Sequence, residues 1–319
     1  MKRFSIFSIA LCCALTCSAQ QTWTLKQCID YAIEHNISLK QQQQNVVQQG
    51  IALNTSQNNR LPNLSASASQ TFNFGRGLTA ENTYANRNTM NSSLGMSTNV
   101  PIYTGGQLTH DINLKRLNLQ AALADLSKAQ DNLSIQVASS YLEVLYQKEL
   151  IKIAENQLEL AKVQQKRIEQ LCLNGKAAES DLAEVKSVVA ADELQLTQQR
   201  NSYQLALLDL SQLLELPTPE GFDVETPDLP EAGQVPLEIP DAIYQQAVAT
   251  KSRIKSEELR VKSAAESISL AKSAKLPSLY AQGGLNSNYY KVSGYDASSF
   301  GRQMKDNFSK YIGLSLSIP

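Results

Sequence analysis

The chain has 319 residues, enough for one large or two modest domains. Its 29 basic and 30 acidic residues nearly cancel, which gives nucleic acid nothing to be drawn to. Only 18% of positions are charged, so Gln, Asn and Ser supply a surface that is polar without being strongly charged.

Met1-Lys2-Arg3, an apolar run to about Cys17, and Ser18-Ala19 read as a secretory signal peptide over residues 1–19. The run is too short to span a membrane as a helix. Lipidation at Cys17 is the lesser alternative, because Ala14-Leu15-Thr16 is a poor approach to such a cysteine. Cys28 and Cys172 remain after cleavage and make no disulfide framework; both read as buried thiols.

Residues 20–216 form a first structural repeat. A helix is expected from Thr24, its N-cap, to Asn59. Gln41 to Gln44 lie within it and read as a solvated helix face. Leu61-Pro62 ends it. Leu64, Ala66, Ala68, Phe72 and Phe74 then alternate with Ser65, Ser67, Ser69, Thr71 and Asn73, the period of a strand. A polar loop from Gly75 to about Thr89 follows. Alternation resumes with Met90, Leu94, Met96, Val100 and Ile102 against Asn91, Ser93, Gly95, Ser97 and Asn99. Pro101 closes that strand and Thr104-Gly105-Gly106 turns out of it, giving a β-hairpin at about 63–103.

No proline or glycine occurs from about 107 to 172. Leu119, Leu123, Leu126, Leu133, Val137, Val144, Ile151, Leu158, Ala161 and Ile168 fall near a seven-residue repeat, a coiled-coil-like seam. At 1.5 Å per residue such a helix spans roughly 100 Å, a length suited to a tube or stalk. Asn174-Gly175 stops it, and Ser180-Asp181 is placed to cap a further helix over about 182–214.

Residues 217–240 hold six prolines and six acids, Asp223, Glu225, Asp228 and Glu231 among them, and read as a linker. Residues 241–319 then repeat the plan incompletely. Ala247–Pro277 aligns without a gap on Ala32–Pro62, at an offset of 215. A helix over 241–275 precedes a second hairpin at about 278–319. There Leu279, Ala281, Leu285 and Tyr289 oppose Gln282, Asn286 and Asn288. Ile312, Leu314, Leu316 and Ile318 oppose Gly313, Ser315 and Ser317. The repeat implies that about 115 further residues follow Pro319 in the complete plan. It also implies that the 319 residues alone cannot complete the architecture.

Four strands of about ten residues have the length to cross a bilayer with tilt. One face is apolar and the other rich in Ser and Asn, which suits lipid outside and water inside. Phe72, Phe74, Tyr103, Tyr289 and Phe308 stand near strand ends, where an aromatic girdle belongs. A soluble antiparallel sandwich with one wet face would show the same alternation. Four strands cannot close a barrel, and open edges are not viable in lipid. Closure therefore requires at least two copies; three copies give twelve strands.

The doubled plan of helix, Leu-Pro, hairpin and long helix, the run Val100-Pro101-Ile102-Tyr103-Thr104-Gly105-Gly106, and Asn174-Gly175 with Ser180-Asp181-Leu182 resemble the TolC-type outer-membrane efflux proteins. The resemblance implies an α+β membrane protein with internal duplication. It implies a homotrimer whose chains each give four transmembrane strands to a twelve-stranded barrel, above a periplasmic tunnel of long coiled-coil-like helices. The lumen-facing residues would be Ser65, Ser67, Ser69, Asn91, Ser93, Ser97, Asn99, Gln282, Asn286, Ser315 and Ser317. The helical tip, Leu173, Asn174, Gly175, Lys176, Ser180 and Asp181, would meet a periplasmic adaptor protein that joins the duct to an inner-membrane transporter. Lys176-Ala177 departs from the apolar pair common at this point in the family. The family's gate lies largely on the last helical hairpin, so no gate residue is assigned.

His35 and His110, the only histidines, lack Cys or His neighbours in sequence, so no metal, cofactor or catalytic residue is expected. Asp30, Glu34, Glu143, Glu149, Glu155 and Glu159 read as solvated helix-surface charges. The expected function is passive conduction across the outer membrane for an efflux or type I secretion system. A periplasmic adaptor and a coiled-coil surface protein are the competing classes.

Overall fold

The computed structural model describes residues 21–78, 82–217, 221–227 and 239–319. The expected signal peptide, Asp228 and Glu231 lie outside the described residues.

A short strand β1 (Gln21–Trp23) leads into α1 (Leu25–His35). Thr24 caps α1 through a reciprocal box: its Oγ1 accepts the Gln27 N–H at 3.3 Å, and Gln27 Oε1 accepts the Thr24 N–H at 2.9 Å. The single helix expected over 24–59 is in fact two. Asn36 leaves helical geometry at ψ 126°, and its Oδ1 accepts the Leu39 N–H at 3.2 Å, so it caps α2 (Ile37–Asn58).

Next come β2 (Asn63–Asn73), a small hairpin of β3 (Arg76–Leu78) and β4 (Tyr84–Asn86) inside the expected loop, and β5 (Thr89–Tyr103). Pro101 does not close β5. It sits inside the strand at a register irregularity, which accommodates its missing donor, and pairing continues to Tyr103. Helix α3 (Gln107–Leu173) is unbroken, and α4 (Glu179–Leu213) follows. The linker contributes a strand, β6 (Phe222–Val224). Then come α5 (Pro240–Thr250), α6 (Ser252–Ser273), β7 (Ser278–Val292), α7 (Phe300–Asp306) and β8 (Ser309–Ser317). Thus the second helix expected as one, over 241–275, is also two. Its break at Lys251 lies 215 residues after Asn36, and the bounds of α5, α6 and the start of β7 keep that same offset from α1, α2 and β2.

The contacts divide the chain into two units, each drawing on both repeats. One comprises residues up to 44 and 125–252. In it α4 runs antiparallel to α3. Leu133, Val137 and Val144 pack with Ala206, Leu207 and Leu210, and farther along Ala154 and Leu158 pack with Val189 and Leu196. Each of these buried valines and leucines contributes about 1.5–3 kcal/mol. The expected seam holds at Leu133, Val137, Val144 and Leu158 but not at Leu123, which is exposed; Tyr141 joins the core instead. Cys28 is buried in this core as expected, and burial pushes its thiol up to about 11 despite its backbone hydrogen bond. Cys172 is only partly covered, because it lies at the solvated end of α3.

β1 and β6 pair in parallel against this core. The Tyr141 hydroxyl donates to the Trp23 carbonyl at 3.1 Å and to the Glu225 carbonyl at 2.5 Å. Asp223, expected as an acidic linker residue, is half-buried. It accepts from the Tyr203 hydroxyl at 2.7 Å and from Lys148 Nζ at 3.1 Å. The remaining helix-surface acids named above are exposed; Glu149 pairs with Lys152, and Glu155 with Arg200. Gln41 to Gln44 are exposed too.

The other unit comprises residues 45–124 and 253–319. It is built on one antiparallel sheet in the order β2-β5-β7-β8. Gly105 and Gly106, at φ +62° and +85°, turn the chain from β5 into α3. A Cβ on Gly105 would lie 2.6 Å from the Leu276 Cβ and 3.0 Å from the Ser273 carbonyl, so only glycine fits.

Candidate conducting surface and helical tip

Strand pairing sorts the sheet into two chemically distinct faces. Ser65 pairs with Ser97, Ser69 with Ser93, Asn99 with Gln282, Asn286 with Ser309, and Ser315 with Tyr280. Because side chains alternate across a strand, these registers place all eleven residues expected to face a lumen on one face. The serines bond to one another across strands: Ser65 and Ser97 hydroxyls are 3.2 Å apart, Ser69 and Ser93 2.7 Å. The opposite face carries Leu64, Ala66, Ala68, Leu94, Met96, Leu279, Leu285, Ile312, Leu314 and Leu316, most of them exposed in the single chain. Phe72, Phe74, Tyr103 and Phe308 are exposed as a girdle requires, whereas Tyr289 is covered by Phe300 of α7, with ring centroids 5.3 Å apart.

Three tyrosines interrupt the polar face. Tyr311 pairs with Gly284, and its side chain lies over that glycine: a Cβ there would meet Cε1 at 2.5 Å, Cζ at 2.7 Å and the hydroxyl oxygen at 2.8 Å. Tyr280 and Tyr290 share the face.

Beyond Asn286, β8 no longer reaches β7. Amide side chains take its place. Gln303 Nε2 donates to the Tyr290 carbonyl at 3.1 Å while Gln303 Oε1 accepts the Tyr290 N–H at 3.0 Å, and Asn307 Nδ2 donates to the Asn288 carbonyl at 2.7 Å. These bonds satisfy backbone groups that an open edge would leave bare.

The helical tip, in the other unit, is a Schellman turn. The Lys176 N–H reaches back to the Leu171 carbonyl at 2.8 Å, the Gly175 N–H to Cys172 at 2.9 Å, and Gly175 takes φ +69°. Helix α4 starts three residues before its expected beginning, so neither Ser180 nor Asp181 is its cap. Ala178 is. Asp181, at the third helical position, accepts the Ala178 N–H at 3.2 Å and puts negative charge where the helix dipole favours it. Leu173, Asn174, Gly175, Lys176, Ser180 and Asp181 are all exposed, Leu173 by 75%.

His110, expected to lack Cys or His neighbours, has its Nδ1 2.8 Å from a Glu266 carboxylate oxygen, between α3 and α6. Among the described residues no cluster of three or more His, Cys, Asp or Glu could hold a metal ion.

A sequence model of the outer membrane efflux proteins matches residues 28–215. The chain belongs to the outer membrane efflux protein family. Membership puts it in the outer membrane. The pyoverdine export outer membrane protein OpmQ of Pseudomonas putida is 27% identical over 195 residues, 59% of this chain and 39% of that protein. The CmeC outer membrane channel of Campylobacter jejuni shares its fold with a TM-score of 0.76 at 17% identity, over 92% of this chain and 61% of that one. The outer membrane protein VceC of Vibrio cholerae does so with a TM-score of 0.72 at 17% identity, over 92% of this chain and 68% of that one. This efflux-family chain thus spans well under half of its curated relative and about two thirds of the solved channels.

Sequence reasoning missed the edge-covering amides of this efflux-family sheet. Gln303, on α7, and Asn307, at its end, fall in a segment that reads as a polar loop in the sequence, where an amide that completes a ladder looks like any other. The Asn36 break had a legible signal: Asn before Ile-Ser-Leu is a helix cap, though it lay hidden in an uninterrupted polar run.

Proposed function

We propose that this chain is the protomer of an outer-membrane duct that passively conducts cargo to the exterior. Three copies each give four strands to a twelve-stranded barrel. The Ser- and Asn-rich face lines the water path, and the apolar face meets lipid. The carrying observation is the sorting of eleven polar residues to one face of a sheet whose outer strands, β2 and β8, each pair on one side only. An open edge in lipid is costly, and pairing β8 of one copy with β2 of the next removes it. A row of apolar residues on α3, Ile135, Leu142, Tyr146, Ile153 and Leu160, stays exposed beside the seam that α4 covers. Such a row suits helices of neighbouring copies. A transporter in the inner membrane supplies the energy, and a periplasmic adaptor docks on the exposed tip at Leu173 to Asp181.

Side-specific labelling tests this reading. In a Cys172→Ser background, Cys28 is buried and silent. An impermeant, charged thiol reagent should reduce single-channel conductance of Ser93→Cys and leave Leu94→Cys untouched. A lipid-soluble reagent should label Leu94→Cys. The reverse pattern, or no conductance at all from the full-length gene product, sinks the proposal.

A further inference from the structure

The duplication acts on the main sheet with two offsets. Leu94–Pro101 aligns without a gap on Ile312–Pro319 at an offset of 218, while β2 passes to β7 at 215. Strand pairing obeys both. Asn63 pairs with Asn99; moved by 215 and 218 they become Ser278 and Ser317, which pair with each other. Ser69 and Ser93 become Gly284 and Tyr311, again partners. The second hairpin therefore copies the first in register as well as in plan. Between the hairpins, β5 pairs with β7. The copy of that contact has β8 in place of β5 and β2 in place of β7. Within the chain it is missing, because β2 and β8 are the outer strands of the sheet, β2 exposed along its whole length and β8 nearly so.

We propose that β8 pairs with β2 of a second copy in the register that the β5-β7 pair dictates. Ser97 pairs with Gly284, which sets Ser315 opposite Ser69 of the next copy. Leu94 pairs with Ser287, which sets Ile312 opposite Phe72 of the next copy. Strands of a barrel share one tilt, so near-identical hairpins divide its stagger evenly. The chemistry of the facing residues agrees. Ser315 extends a row that Ser69 already forms with Ser93, their hydroxyls 2.7 Å apart. Ile312, 95% exposed in the single chain, meets the Phe72 ring, a favourable pairing of β-branched and aromatic side chains. A slip of one residue would turn Leu314 and Leu316 to the polar face. The inference rests on the closure by further copies proposed above, and adds which residues meet.

Disulfide trapping in the membrane-borne oligomer of the full-length gene product tests it, with Cys172→Ser as the background. Residues directly opposite in an antiparallel pair have Cα atoms about 4.5–5.5 Å apart, within disulfide reach. Same-face neighbours two residues along lie about 7–8 Å away, outside it. Within one chain Ser69 and Ser315 stand on strands three spacings apart, about 14 Å, so any bridge joins two copies. Oxidation of Ser69→Cys with Ser315→Cys by copper-phenanthroline should give cross-linked oligomer on a denaturing gel, reversed by reductant. Phe72→Cys with Ile312→Cys should do the same from the other face, which keeps the test decisive if one substitution disturbs assembly. Ser67→Cys or Thr71→Cys with Ser315→Cys should give about tenfold less. Dominant bridging through Ser67→Cys or Thr71→Cys shifts the register by two residues and overturns the proposal. So does an oligomer in which no pair bridges. Conductance of the same samples under reductant separates the two readings: side-specific conductance with bridging through a different pair, or none, defeats this inference alone, whereas a parent protein that leaves the membrane as a monomer defeats the reading beneath it.

Discussion

Glu215 adopts φ +57°, in the left-handed region, at the end of α4. It occupies the position that Gly175 fills at the end of α3: the Leu216 N–H reaches the Ser211 carbonyl and the Glu215 N–H that of Gln212, both at 3.0 Å. A side chain there costs about 1–2 kcal/mol, offset in glycine's case by its greater unfolded freedom. Glu215→Gly should therefore raise stability by roughly 0.5–1 kcal/mol, read as a higher thermal midpoint. A lower midpoint would mean that the carboxylate makes a contact of greater worth. Gly284 presents the opposite case. Gly284→Ala should lift the Tyr311 ring off the polar face, destabilise the β7-β8 pair by about 1 kcal/mol, and narrow the proposed lumen. Tyr311→Ser restores the width, so conductance should fall in the first variant and recover when both changes are combined.

The β1-β6 pair is an element held by side chains from other elements. Tyr141 of α3 bonds both strands, while Tyr203 of α4 and Lys148 of α3 converge on Asp223 of β6. Burial by itself would raise the Asp223 pKa. The Tyr203 hydroxyl, the Val224 N–H and Lys148 outweigh it, and the carboxyl is held below its ordinary value. Burial, with the Asp223 carboxylate as acceptor and neighbour, pushes Tyr203 up, so its hydroxyl stays a donor. A depressed carboxyl contributes stability that is complete above its unfolded pKa of about 3.9 and lost as pH falls through the folded value. Asp223→Asn should lower stability at neutral pH and flatten the acid limb of the stability profile. Parallel acid limbs in parent and variant would show that the carboxylate is uncoupled from folding. Tyr141→Phe should cost about 1 kcal/mol, since it removes the part-buried hydroxyl that bonds the carbonyls of Trp23 and Glu225.

Among the described residues, the apolar surfaces left exposed include the sheet face and the second apolar row on α3. Lipid suits the first and further copies the second. Leu142→Asn with Ile153→Asn should break the oligomer while the α3-α4 core, built from Val137, Val144 and Leu158, keeps its helix content. Crosslinking and circular dichroism read the two effects separately. Loss of helix together with the oligomer would mean that the row belongs to the fold of the single chain.

The duplication, the four strands and the uninterrupted α3 were legible because each rests on local patterning: period two, a seven-residue seam, and proline at the boundaries. So was the polar face, since alternation along a strand decides which residues share a side before any partner is known. The tertiary structure decided what depends on distant groups. The β1-β6 pair joins residues about 200 apart and leaves no periodic trace in three-residue strands. Asp223 was buried by contacts from α3 and α4, and Leu123 lost its place in the seam because α4 covers only part of α3. Gln303 and Asn307 became ladder donors only because β8 stops short of β7. Sequence by itself determines the faces of an element. Which face is covered, and by what, depends on segments that meet only when the chain has folded.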